Sequence, residues 1–210
     1  MKSIVKVILL SVCAHTSISI AQANDSLQIL TDVGQQRIFL KAEKLLAKSN
    51  SQQYQSLYNQ LYYYPLQPYL DQRRLMENMQ LSSAGEIATF LEKYQHSPLD
   101  WPLRKAWLTY LAKKGKGALF LEFYQSTKNN VLTCHKLNFS LEAGLPASFV
   151  LPQVTKLWLV GKSLDKVCDP IIKQWQQAGY RTDEIVWQRI GLAADGGKVL
   201  LYSLFNKFIA

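Results

Sequence analysis

Nearly every stretch between chain breakers repeats its apolar residues three or four positions apart, and no stretch alternates apolar with polar residues long enough to make a strand. This periodicity predicts an all-α chain. A first helix is expected from about Asp25 to Ser49, with Leu27, Leu30, Ile38, Ala42 and Leu45 on one face and Lys41, Lys44 and Lys48 off it. A second starts near Ser51 and carries Tyr54, Leu57, Tyr58 and Leu61, and a third follows Tyr64-Pro65 through Leu66, Leu70 and Leu75. Ser83-Ala84-Gly85-Glu86 fits a capping box ahead of Ile87, Phe90, Leu91 and Tyr94. Beyond Pro98, the residues Leu103, Trp107, Tyr110 and Leu111 mark a helix that Lys113-Lys114-Gly115 should end, and a short helix over Ala118 to Tyr124 comes next.

In the second half, Val131, Cys134, Leu137 and Leu141 share one face, and Cys168, Ile171, Ile172, Trp175 and Ala178 share another. Between them, Val154, Leu157 and Trp158 line a helix that stops at Gly161. Thr182 is a candidate N-cap before Asp183 and Glu184, and a last helix from about Gly197 holds Leu200, Leu201, Leu204, Phe205, Phe208 and Ile209. Short helices with tight breaks and no heptad seam suit an α-superhelix, or solenoid, of antiparallel helix pairs better than a four-helix bundle. A degenerate array with the roughly 34-residue period of tetratricopeptide repeats is a second reading, although its consensus is not met.

The start of the chain has the pattern of a secretory signal: Lys2 and Lys6, an apolar run from Ile4 to Val12, and Ala21-Gln22-Ala23 as a cleavage site. Residues 1–23 are therefore expected to be removed, leaving 24–210 as the mature helical domain. The apolar run falls short of the roughly 20 residues a membrane-spanning helix needs, so no stable membrane anchor is expected. A lipoprotein reading would use Cys13, but Val12 before it is not small. Loss of Lys2 and Lys6 takes the net charge from +9 to +7, a moderately basic balance that suits an acidic polymer. Export argues against nucleic acid as that polymer.

Cys134 and Cys168 are then the two remaining cysteines, and in an oxidising compartment a pair is expected to bond. The competing reading is a metal site of Cys134, His135 and Cys168, which lacks the usual ligand spacing and a fourth ligand. No nucleophile elbow, His-Glu-x-x-His helix, phosphate loop or dinucleotide fingerprint occurs, so no cofactor is expected. Glu43, Glu77, Glu86, Glu92, Glu122, Glu142 and Glu184 are the acids a glycan-cleaving site could draw on. Most have a plain role at a helix end or on a solvated face, and none is read as catalytic. His96 and His135 read as a loop and a surface residue without an evident partner. Tyr58, Tyr62, Tyr63, Tyr64 and Tyr69 could line a sugar-binding groove or fill seams between helices; packing is the favoured reading.

Two stretches resemble one family. Tyr64-Pro65-Leu66-Gln67-Pro68-Tyr69-Leu70 with Arg73 matches a YPLxPYLxxR signature. Leu157-Trp158-Leu159-Val160-Gly161-Lys162-Ser163, followed by Cys168-Asp169, Trp175 and Gly179, matches an LWLxGKSxxxxCDxxxxxWxxxG signature, and Arg189-Ile190-Gly191-Leu192-Ala193 continues in register. Together they resemble the N-terminal helical superhelix, the U-shaped domain, of the soluble lytic murein transglycosylases. The resemblance implies a periplasmic protein whose family cleaves peptidoglycan between N-acetylmuramic acid and N-acetylglucosamine, leaving a 1,6-anhydro end. It also implies a family disulfide at Cys134 and Cys168.

In that family a lysozyme-like C-terminal domain carries a catalytic Glu followed by Ser. No Glu is followed by Ser here, and no catalytic residue carries over. The expectation is a partial U-domain, inactive alone: either a truncated product or a module that associates with peptidoglycan and works with a separate catalytic chain or another protein. A periplasmic tetratricopeptide-like interaction scaffold is the alternative. The terminal helix, ending in Leu204, Phe205, Phe208 and Ile209, is expected either to expose its apolar face or to fold back on its neighbour.

Overall fold

The computed structural model describes residues 32–196, and among them every regular element is a helix. In order these are α1 (32–43), α2 (Gln52–Asn59), α3 (Gln67–Glu77), α4 (Ala84–Lys93), α5 (Asp100–Lys113), α6 (Gly117–Phe123), α7 (Asn130–Glu142), α8 (Ala147–Val150), α9 (Pro152–Trp158), α10 (Asp169–Gln177) and α11 (Asp183–Gly196). Three single 3-10 turns, Leu46–Lys48, Leu81–Ser83 and Lys166–Cys168, join them. The chain divides into two compact units after Leu103, within α5. The expected signal segment and the helix from Gly197 lie outside the described residues.

The first unit is built around Ala42, Leu46, Tyr54, Leu61 and Leu70, with Ile38, Phe39, Leu57, Tyr58 and Tyr64 packed against them. The first helix ends at residue 43 rather than near Ser49. Leu45 leaves the helical region, and the 3-10 turn that follows carries Leu46 into this core. Ser51 caps α2 by accepting from the Tyr54 amide, and Pro68 sits in the first turn of α3, where its missing N–H costs nothing. Asn78 closes the other end of α3, donating to the carbonyls of Leu46 (3.2 Å) and Arg74 (3.1 Å).

The capping box read at Ser83 does not form. The turn Leu81–Ser83 runs straight into α4, so Ser83 already has helical dihedrals and its side chain caps nothing. Glu86 instead pairs with Arg74. A tertiary ion pair has taken the place of a local cap.

In the second unit α6 lies close against α7, where a Cβ at Gly117 would stand 2.8 Å from the Phe139 ring. Asn129 caps α7 through the Leu132 amide (3.2 Å). Cys134 and Cys168 are bonded, with Cα atoms 5.1 Å apart, at the centre of a core that includes Leu137, Val150, Val154, Leu157, Ile171 and Trp175. The single face expected on α7 is broader than read, because Leu132, Phe139 and Ser140 are buried too while Val131 and Leu141 are only half-buried. Ala178, expected on the buried face with Trp175, is exposed past the end of α10. Thr182 accepts from the Ile185 amide at 3.4 Å ahead of α11, as expected.

Candidate functional site

The residues of the longer signature come together, and what they form is a joint between helices. Trp158 ends α9 and packs its indole against Trp175 at 5.3 Å between ring centroids. Trp175 Nε1 donates to the Thr155 hydroxyl at 3.0 Å. From α11, Arg189 lies over the Trp158 ring at 4.2 Å and donates one nitrogen to the Trp158 carbonyl (2.8 Å) and another to the Lys162 carbonyl (3.1 Å). The Trp158 carbonyl also accepts from the Val160 amide (2.8 Å), and the guanidinium fork reaches it and the Lys162 carbonyl in the following connection at once.

Gly161 is required there for space. A Cβ would meet the backbone of α11, 2.7 Å from the Leu192 carbonyl carbon and 3.2 Å from the Ala193 nitrogen. Gly179 ends α10 with φ of +81°, a conformation costly for other residues. Leu157, Trp158, Gly161, Cys168, Trp175 and Gly179 thus have packing or backbone duties, while Lys162, Ser163 and Asp169 are exposed.

The tyrosines divide. Tyr58 and Tyr64 join the first unit's core, Tyr64 against Phe39 at 5.7 Å, whereas Tyr62 and Tyr63 are 70% and 87% exposed and meet edge to face at 4.7 Å. The carboxylate that stands out was missed in the sequence. Burial pushes the Asp71 carboxyl above its usual range, against the opposing pull of a 2.8 Å hydrogen bond from the Tyr58 hydroxyl and of the nearby Arg74. Burial, with the Asp71 carboxylate beside it, also raises Tyr58. Asp71 is committed to Tyr58 and Arg74 and lines neither groove described below. The acids read from the sequence lie on exposed or half-exposed faces: Glu43 and Glu77 pair with Arg73, and Glu86 with Arg74. His96 sits in the turn before α5 with φ of +64°. His135, read as a surface residue, is half-buried between Phe120 and Phe139.

Two open grooves offer room for a ligand. In the first unit, α1 and α2 enclose about 800 Å³ lined by Lys41, Lys44, Gln52, Gln53, Ser56 and Leu57. Among the described residues no carboxylate lines it and neither lysine has an ion-pair partner. Two ammonium groups on one wall with three neutral hydrogen-bonding side chains opposite suit a carboxylate-bearing ligand. In the second unit a groove of about 570 Å³ lies between α7 and α10.

Comparison with curated protein sequences found no match. The cucumovirus coat protein family matches residues 147–207, which is less than a third of the chain and does not make the chain a member. Solved structures are more telling. The 70-kDa soluble lytic transglycosylase of Escherichia coli superimposes with a TM-score of 0.65 and 20% identity over 76% of this chain. A complex of the 70-kDa soluble lytic transglycosylase with bulgecin A gives a TM-score of 0.65 and 22% identity over the same share. An inactive mutant of the lytic transglycosylase from Pseudomonas aeruginosa gives 0.64, at 34% identity. The chain shares its fold with part of the soluble lytic transglycosylases.

It spans about a quarter of the length of those transglycosylases, 26% in each case. The all-α, helical-superhelix class read from the sequence is the class of these neighbours. The longer of the two signatures that suggested the transglycosylases belongs to the Trp158, Gly161 and Arg189 joint, and the shorter places Leu70 in the first unit's core with Tyr64 packed against it. The resemblance therefore rests on the framework of the fold. Among the described residues no helix is long and apolar enough to cross a membrane.

Proposed function

We propose that this chain is a peptidoglycan-associated helical module of the transglycosylase type, exported to the periplasm after loss of residues 1–23, which holds the cell-wall polymer and does not cut it. Cutting, with formation of the 1,6-anhydro end, falls to a lysozyme-like catalytic domain. The observation that carries the reading is the shared fold with soluble lytic transglycosylases, at 34% identity for one of them. The Lys41 and Lys44 groove supports it, because peptidoglycan peptides end in carboxylates and the groove presents cations with no acid of its own.

The test is retention of the purified chain on isolated sacculi at low and high salt. Retention that weakens with salt, and that falls when Lys41→Ala and Lys44→Ala are combined, supports the reading, since exposed charge contacts are screened. Retention unaffected by either change removes the groove from the account. No retention at all overturns the function. A zymogram on peptidoglycan checks the other half, and clearing by this chain alone would show that it cuts.

A further inference from the structure

The second unit's groove carries polar side chains that the fold does not use. His135, Asn138 and Glu142 come from α7 and Gln174 from α10, with Phe139 and Pro170 among the apolar residues beside them. None of the four polar side chains makes a hydrogen bond among the described residues. The volume of about 570 Å³ lies in the range typical of small-ligand sites.

The charges decide what could enter. Among the described residues no Lys or Arg lines the groove and Glu142 has no ion-pair partner, so a carboxylate or phosphate ligand would be repelled. Burial holds His135 below the ordinary histidine range, against an opposing pull from Asp165, which keeps the ring uncharged at neutral pH. Asn138 and Gln174 each donate and accept through one planar amide, which matches the paired donor and acceptor of another amide. The half-buried His135 ring lies nearly parallel to that of Phe139, 5.8 Å apart and inclined by 18°, and Val167 and Pro170 add apolar surface to the groove. An uncharged ligand with an amide, several hydroxyls and an apolar face answers all of these features.

We propose that this groove binds an N-acetylated amino sugar, with Asn138 and Gln174 taking the acetamido group and Glu142 accepting from hydroxyls. The ligand class follows from the groove, and only the choice of N-acetylglucosamine as probe rests on the peptidoglycan reading. The site is distinct in chemistry from the lysine groove, which selects for acid.

The full chain is titrated by calorimetry with a β-1,4-linked tetramer of N-acetylglucosamine, the de-N-acetylated tetramer, which is cationic, and the equivalent glucose tetramer. The acetylated tetramer is expected to bind, the glucose tetramer at least about tenfold more weakly, and Asn138→Ala and Gln174→Ala each to weaken binding about three- to tenfold, the loss expected for one neutral hydrogen bond. Both side chains are unpartnered, so neither substitution should disturb folding. No binding, equal binding of the glucose tetramer, tightest binding of the cationic one, or unchanged affinity in both variants would each overturn the proposal. Salt-sensitive sacculus retention that survives in an Asn138→Ala, Gln174→Ala double variant, together with a failed titration, sinks this site alone. Sugar binding without retention sinks the lysine-groove reading and leaves this one standing.

Discussion

Replacing Gly161 by alanine tests the joint between α9 and α11. The added methyl would press first on the Leu192 carbonyl oxygen and would sit 2.7 Å from its carbon, where ordinary contacts begin near 3.4 Å, so the two backbones must part by about 1 Å or more. Overpacking of this kind costs about 1–3 kcal/mol. The separation also stretches the Arg189 bonds, of which the one to Lys162 is already 3.1 Å, and losing one bond to a charged group costs about 1.5–3 kcal/mol. Partial relaxation shared between the two leaves an expected loss of about 2–4 kcal/mol, or roughly 10–20 °C in the melting temperature of a domain near 100 residues.

Gly85→Ala and Gly191→Ala are the controls, since a Cβ at either meets nothing within 4 Å and both lie in helices. Each should be neutral or stabilising by up to about 1 kcal/mol. Thermal unfolding followed by far-ultraviolet circular dichroism reads all three. If Gly161→Ala melts within a degree or two of Gly191→Ala, the close approach is not what makes this glycine necessary.

Three further outcomes are expected. Substituting Cys134 and Cys168 by alanine should cost about 4 kcal/mol in the chain-entropy view of a loop closed 34 residues apart, seen as a lower denaturation midpoint with the same value in reduced protein. Tyr58→Phe should cost about 1–2 kcal/mol by stripping the hydrogen bond from the half-buried Asp71, whereas Tyr54→Phe should be close to neutral because the buried Tyr54 hydroxyl has no partner among the described residues; denaturant midpoints of the two variants compare them. Because burial lowers the His135 pKa below its unfolded value near 6.5, stability should hold above that pH and decline as pH falls through it toward the folded value, and His135→Gln should flatten the decline in midpoints measured from pH 7.5 to 5.

Sequence periodicity located most of the helices because short helices here begin and end on local chemistry, such as Ser51 before α2, the Pro68 turn of α3 and Gly115 after α5. It failed where a distant residue overruled the local pattern. Glu86 had the right spacing to complete a cap at Ser83, but Arg74, twelve residues earlier, engages it instead. Asp71 escaped notice for the same reason. Nothing in its neighbours marks it, and its environment exists only once Tyr58 from α2 packs over α3. His135 was taken for a surface group because helical spacing does not reveal that α6 brings Phe120 against it. The groove that joins it to Gln174 brings together residues far apart in the chain. The lysines of the first groove were visible in the sequence as an off-face run, yet their lack of an ion-pair partner among the described residues was not.

The bond between Cys134 and Cys168 has a consequence for how the protein comes apart. Everything from the end of α7 through α8 and α9 lies inside one covalent ring, including the exposed connections around Gly144 and Lys162. A protease that nicks either connection once releases no fragment. The two pieces travel together on a gel until a reductant is added, so the second unit can be cut in its surface loops and still keep both ends of its core in register.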